Sequence, residues 1–355
     1  MQDICSKILQ TGKLFQVQLK LTKMKFSIII PVYNRPDEIA ELLGSIAKHT
    51  SSYNIEVIVV EDGSVRNCKK EIQSFYEKIN LKYIFQENKG PSAARNEGAK
   101  YATGEYLIFF DSDCIIPDEY FKNITQYLEQ NPLDLFGGPD MADESFSPIQ
   151  KAISYSMTSI LTTGGIRGGN KKLDKFYPRS FNLGVRRDKF QILKGFSEDM
   201  RFGEDMDFSM RGFEAGFNVG LIPNAAVYHK RRTKFSSFYK QVFGSGTARI
   251  DLSYRHRGTL KLVHLFPSLF VIGVPLSILL AIFIHWTFIL PLAFVLIAIF
   301  IDAFLSMKSV KIALLGVWAS LIQTCGYGLG FFFAAFKRQI NPTQKLEAFK
   351  DSFYE

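Results

Sequence analysis

Short apolar runs alternate with amphipathic stretches over roughly the first third of the chain. Residues 26–32, 55–60, 81–85 and 106–110 are short and rich in isoleucine, valine, leucine and aromatic residues. In 26–32 and 55–60 that is the pattern of strands buried on both faces, and 81–85 and 106–110 read as a third and a fourth strand. Between the first two, Pro36 suits the first turn of a helix, and Ile39, Leu42, Leu43 and Ile46 then recur at helical spacing. Further helices are expected at 67–79 and 92–101. Another is expected to open at Pro117, with Phe121, Ile124 and Leu128 on one face. Strands alternating with helices predict an α/β domain with a mainly parallel central sheet. A further strand is expected at 218–222.

The pattern changes after residue 261. Residues 262–284 are almost free of charge and long enough to span a bilayer, for which about 20 apolar residues suffice. His285 and Trp286 break the run, and Trp suits an interface. Residues 287–305 form a second candidate span, with Asp302 near its end. Residues 312–336 form a third, closed by Lys337 and Arg338. Its glycines 316, 326, 328 and 330 fit a re-entrant segment or one packed on another helix. The expected organisation is a basic leader at 1–25, a nucleotide-binding domain at 26–232 and a basic linker on the membrane surface at 233–261. A region of two or three membrane helices at 262–336 and a tail at 337–355 follow. Arg255, Arg257, Lys261, Lys308 and Lys311 favour the cytoplasmic side for the large domain, whereas three full spans would put Lys337, Arg338, Lys345 and Lys350 outside, against the positive-inside rule.

The chain of 355 residues carries a formal net charge of +9. Basic residues cluster at 230–257, directly before the apolar region, so membrane lipid is the expected partner of that cluster. No zinc-finger or RNP signature accompanies the charge, so nucleic acid is not an expected partner. The four cysteines, Cys5, Cys68, Cys114 and Cys325, form no CxxC pair, and their spacing suits a reducing compartment.

In parallel α/β sheets, ligands bind beyond the carboxyl ends of the strands. Here those ends carry Tyr33 to Arg35, Glu61 to Ser64, Asn88 to Arg95, and Asp111 to Asp113. Asp111 and Asp113 stand two apart at the end of an extended run, so both can point the same way. A hard cation such as Mg2+ or Mn2+ would relieve their repulsion. As plain structure, the pair would be a turn or loop cap. Asp62 followed by glycine is either a turn or a nucleobase contact, and Tyr33 is either a rim residue or a stacking platform. Arg95, early in a helix, suits an anion. No Gly-x-x-x-x-Gly-Lys loop and no Gly-x-Gly-x-x-Gly turn follows a strand, which removes the main support for ATPases and dinucleotide oxidoreductases. Further on, residues 179–186 are expected to be extended and to line a cleft. Glu204, Asp205 and Asp207 begin a helix, where acids complement the dipole. His229 follows a strand in a basic stretch, which suits a metal or phosphate role.

The set SIIIPVYNR, VVEDGS, NKGPSAARNEGA, YLIFFDSDC, NLGVRR and GFSEDMRFGEDMDFSMR, in this order, resembles the family 2 glycosyltransferases with a GT-A fold. The resemblance covers residues 25–232. It implies an inverting transfer from a nucleoside-diphosphate sugar to a hydroxyl of a glycan or lipid-linked acceptor, assisted by Mn2+ or Mg2+. By the same resemblance, Pro31, Tyr33, Asp62, Arg95 and Asp111 would bind the donor. Asp111, Asp113 and His229 would hold the metal, and Asp205 would be the general base. Asn182 and Glu204 would lie on the acceptor side. Glu61 stands where the family usually has aspartate. The Gln-x-x-Arg-Trp stretch of processive members is not matched at 241–245, so one sugar per encounter is expected. Two other readings are a polyprenyl-phosphate glycosyltransferase and a non-catalytic membrane subunit that binds nucleotide sugar. The acid at Asp205 favours a hydroxyl acceptor, because a phosphate has no proton to lose.

Overall fold

The computed structural model describes residues 24–141, 146–163 and 175–341. The expected leader and tail fall almost wholly outside them. The chain divides into two compact units. The first takes residues up to 141 together with 176–198 and 204–229, and the second takes 142–175, 199–203 and 230–355.

The first unit is built around a sheet. Strand β1 (Lys25–Val32) is followed by α1 (Pro36–Ala47), β2 (Asn54–Asp62) and β3 (Asn80–Gln86). Helix α2 (Pro91–Lys100) then leads to β4 (Tyr106–Phe109) and the two-residue β5 (Cys114–Ile115). The expected helix at 67–79 shrinks to Lys69–Ile72 and a 3-10 turn at Gln73–Phe75. Between residues 69 and 78 only Ile72 is buried, so little apolar contact holds a longer helix. Helix α3 (Tyr120–Gln130) starts later than Pro117, because residues 117–120 form a turn closed by the Tyr120 N–H on the Pro117 carbonyl at 3.1 Å.

Strands β1, β2, β3 and β4 are parallel, with β2 and β1 between β3 and β4. Strand β3, at the sheet edge, buries only Leu81, whereas β1, β2 and β4 are buried on both faces: Ile28 and Ile30 join one apolar cluster, and Ile29 joins another with Phe109 and Phe208. This two-sided burial is why the runs carry no polar alternation. Beyond β4 the sheet continues through β6 (Leu135–Gly137), β8 (Leu183–Arg186) and β9 (Val219–Leu221), in the order β3-β2-β1-β4-β8-β6-β9. Strand β8 runs antiparallel to both neighbours. A second, three-stranded sheet sets β10 (Val227–His229) between β5 and β7 (Asp140–Met141).

In the second unit, α4 (Pro148–Thr158) precedes residues of the first unit that include α5 (Glu204–Glu214). Helix α6 (Phe235–Arg255), α7 (Phe266–Phe283), α8 (Leu290–Met307) and α9 (Val310–Ile340) complete it. Three segments, Leu262–Phe283, Trp286–Met307 and Val310–Ile340, are long and apolar enough to cross a membrane. Leu262 is 80% exposed and Phe283 78% exposed, as expected of side chains made for lipid. The third apolar segment is one unbroken helix of 31 residues, not a re-entrant loop. Its glycines are where other helices come close: Gly326 and Gly330 meet α6, Gly328 meets α7, and Gly316 meets α4 and α8. A Cβ on Gly330 would stand 2.1 Å from the Phe243 carbonyl oxygen, and one on Gly246 would stand 2.1 Å from that of Tyr327. The 233–261 stretch, expected as a basic linker, has regular structure of its own. Most of it is helix α6, which buries Phe238 and Val242 with Ala152, Ile153 and Ala319 of α4 and α9.

Candidate active site

The carboxyl edge of the large sheet holds the charged groups. Two of its loops are locked to each other. The Asp62 carboxylate accepts hydrogen bonds from the Lys89 N–H (2.9 Å), the Gly90 N–H (2.8 Å) and the Gln86 side chain (2.6 Å). Gly63 has φ +71°, and a Cβ there would stand 2.5 Å from the Asn88 nitrogen, so only glycine lets the loops approach. Glu61 is fully buried. It accepts from the Cys68 N–H at 2.8 Å and from the Ser64 hydroxyl, so it closes its own turn. Pro31 pairs in register with Val60, and Tyr33 lies half-buried just past the end of β1.

Four acids gather beyond β4, each with an arginine. Arg95 of α2 is 3% exposed and donates to Asp111 at 2.7 Å and to Glu204 at 3.0 Å. Arg35 donates to Asp113 at 2.7 Å and to Glu38 at 2.8 Å. Arg179 lies 3.5 Å from one oxygen of Asp205, and the Ser180 N–H lies 3.4 Å from the other. Desolvation opposes the charge on Arg35, but Asp113 and Glu38 outweigh it and hold the guanidinium more firmly protonated than usual. Glu204 is pushed up to about 7, first by burial and then by the charge of Asp205, against the pull of Arg95. This edge is thus rich in negative charge that is only partly settled, which is a common mark of a functional site.

The small sheet supplies the last group. β10 pairs antiparallel with β5, and this brings the His229 Nε2 to 3.2 Å from Asp113 Oδ1. Phe181 stacks on the imidazole with centroids 4.8 Å apart. The His229 Nδ1 is buried and has no hydrogen-bond partner among the described residues. A carboxylate and an imidazole in contact are an oxygen–nitrogen donor set that suits Mn2+ or a similar ion. Asp113, Cys114 and His229 each place one ligand atom within 4.8 Å of the others.

Placement of the expected residues is uneven. Asp111, Asp113, Arg95, Asp205 and His229 all stand in this cluster of charges. Asn182 does not face an acceptor. It is 1% exposed, accepting from the Tyr120 hydroxyl at 2.6 Å and donating to the Ala225 carbonyl at 2.7 Å. Both ends of its amide are used to tie β8 into the core. Residues 183–186 form the internal strand β8, while Arg179 and Ser180 reach Asp205 and Phe181 stacks on His229. Glu204 is held by Arg95, which also holds Asp111, so it stands inside the cluster of charges. Arg35 was not among the expected site residues. Its only signal is its position just past β1, and its partner lies 78 residues away.

An α/β sheet that ends in paired acids, a buried arginine and a carboxylate–imidazole contact defines the GT-A class of nucleotide-sugar folds. A model described as glycosyl transferase family 2 matches residues 27–193. An uncharacterized glycosyltransferase of Haemophilus influenzae is 31% identical over 223 residues, which cover 59% of this chain and 70% of that one. The poly(ribitol-phosphate) beta-N-acetylglucosaminyltransferase TarS of Staphylococcus aureus is 36% identical over 220 residues, 58% of this chain and 35% of TarS. A mannosyltransferase, PcManGT from Pyrobaculum calidifontis, solved in complex with GDP-Man and Mn2+, has a similar fold. Its TM-score is 0.53 and its identity 16%, over 92% of this chain and 89% of that one. The chain belongs to glycosyl transferase family 2. It spans less than two thirds of several curated relatives it matches, 60% of one and 35% of TarS.

Proposed function

We propose that this chain is an inverting, non-processive glycosyltransferase. It moves a sugar from a nucleoside-diphosphate sugar to a hydroxyl of a glycan or lipid-linked acceptor at a membrane. The observation that carries the reading is the edge cluster itself: Asp111, Asp113, Glu204 and Asp205, each held by an arginine, beside His229. Asp205 is the general base. Arg179 and the Ser180 N–H orient its carboxylate, and it takes the proton of the attacking hydroxyl. A single base is enough for inversion, since no covalent sugar intermediate is formed. Asp113 and His229 would hold a divalent cation, with Asp111 beside them. When bound, the cation supplies positive charge against the departing diphosphate. The Mn2+ in the mannosyltransferase of similar fold supports that choice of ion. Arg95 keeps Asp111 and Glu204 apart and in place, and Tyr33 and Asp62 flank the nucleobase.

The acceptor is a hydroxyl in this reading because a base is present. TarS, by its name, glycosylates a poly(ribitol-phosphate), and an envelope glycan of that kind fits the apolar helices here. The large domain faces the cytoplasm, on the side of Arg255, Arg257, Lys261, Lys308 and Lys311.

The test is release of nucleoside diphosphate from UDP-, GDP- and dTDP-sugars by the full chain in detergent, with membrane lipid extract as the acceptor source. Turnover of one donor with Mn2+ that EDTA abolishes is the expected result. If no donor is turned over or bound with metal present, the donor site is misplaced and the non-catalytic reading takes over.

A further inference from the structure

The cation site has a sulfur atom that the transfer reaction does not use. In the pairing of β5 with β10, Cys114 stands directly opposite His229. Directly opposed residues of an antiparallel pair project from the same face of the ladder. Cys114 is 1% exposed, and its thiol donates to the Phe181 carbonyl at 3.4 Å. The ring of that same Phe181 stacks on His229. One ligand atom each from Asp113, Cys114 and His229 fits within 4.8 Å. Oxygen, sulfur and nitrogen together form a donor set that borderline and soft ions prefer. Mg2+ and Mn2+ favour oxygen, and they bind more weakly than Co2+ or Zn2+ to a given mixed site.

We propose that Asp113, Cys114 and His229 give this site a second coordination mode, which captures Zn2+ or Co2+ through sulfur in place of the oxygen-ligated ion used in transfer. The proposal rests on the reading of Asp113 and His229 as cation ligands. When the metal–sulfur bond forms, the thiol proton leaves to solvent and the hydrogen bond to Phe181 is released. Zinc bonds of about 2.0 Å to nitrogen and oxygen and about 2.3 Å to sulfur require the three side chains to close inward on a common centre. The ladder already holds two of them face to face. Zn2+ in this mode competes with Mn2+ for Asp113 and His229, so it switches the site off.

Co2+ titration of the full chain in detergent reads this directly, because a thiolate ligand to Co2+ gives a charge-transfer band in the near ultraviolet. Mn2+ binding is followed in parallel by electron paramagnetic resonance. The expected result is a saturating band in the wild type, displacement of Mn2+ by Zn2+, and loss of the band in Cys114→Ser while Mn2+ still binds. Co2+ binding without the band overturns the proposal and leaves the cation reading standing. Failure of the wild type to bind either ion overturns both. X-ray absorption of the zinc-loaded wild type needs no variant: a sulfur neighbour at about 2.3 Å supports the proposal, and oxygen and nitrogen neighbours alone overturn it.

Discussion

At the amino end of the large sheet, Glu56 is buried among donors; at the carboxyl end, Glu204 is buried among acids. The two glutamates begin from the same ordinary value of 4.5 and move in opposite directions. Burial alone would push Glu56 up. The Ser27 hydroxyl at 2.5 Å, the Thr103 N–H at 2.6 Å and the Thr103 hydroxyl at 2.8 Å outweigh it, helped by Lys25, and hold the carboxyl at about 2. Glu204 has Arg95, but Arg95 is shared with Asp111, and Asp205 adds a like charge, so burial wins. One end of the sheet has its charges fully matched, which suits a fixed scaffold. The other is left short of positive charge, which suits a place where a cation and a ligand arrive.

Four predictions sharpen or break this contrast. The largest effect is expected at Arg95. Arg95→Met leaves buried Glu204 and half-buried Asp111 without their cation and should cost about 3–5 kcal/mol of stability. The Arg95→Met/Glu204→Gln double variant should recover part of that loss in thermal unfolding. No recovery would mean that Arg95 acts through packing alone. Next, Asp113→Asn should lower transfer by roughly 100- to 1,000-fold and weaken Mn2+ binding with it. Unchanged Mn2+ affinity would remove Asp113 from the cation site.

Glu56→Gln should cost about 3 kcal/mol at neutral pH. The sign follows from a depressed carboxyl. Its stabilisation is present above pH 4.5 and disappears as pH falls towards about 2, so the variant's unfolding midpoint should be flatter across that window. Glu204→Gln should do the reverse. The folded chain keeps a proton up to about pH 7 that the unfolded chain releases near 4.5, so stability falls as pH rises between those values. The variant should lose that fall, which amounts to at most about 3 kcal/mol. If both variants flatten the same side of the pH profile, the contrast between the two ends is wrong.

The sequence carries the scaffold better than the site. Strands β1 to β4 are readable because each is a short apolar run closed by polar residues, and two-sided burial leaves little else possible for 26–32 or 106–109. The three-stranded sheet is not readable in that way. Strands β5 and β7 have two residues each, and what makes them strands is pairing with residues 227–229, more than 80 positions further on. For the same reason, the approach of His229 to Asp113, and that of Arg35 to Asp113, leave no local trace. Asn182 shows the opposite error. A polar residue beside a site motif looks functional, yet its amide is consumed by Tyr120 and Ala225. Along α9, the glycines fitted either a bent segment or a packed one. The carbonyls of Phe243 and Tyr327 settle that they mark close helix packing.

The central claim is that Asp205 removes a proton while other residues hold the donor. It is tested most directly by measuring donor binding and single-turnover transfer for Asp205→Asn beside the wild type. The account predicts donor affinity close to wild type, with transfer slowed by roughly 100- to 10,000-fold. Transfer at the wild-type rate would contradict it, as would a loss confined to donor binding.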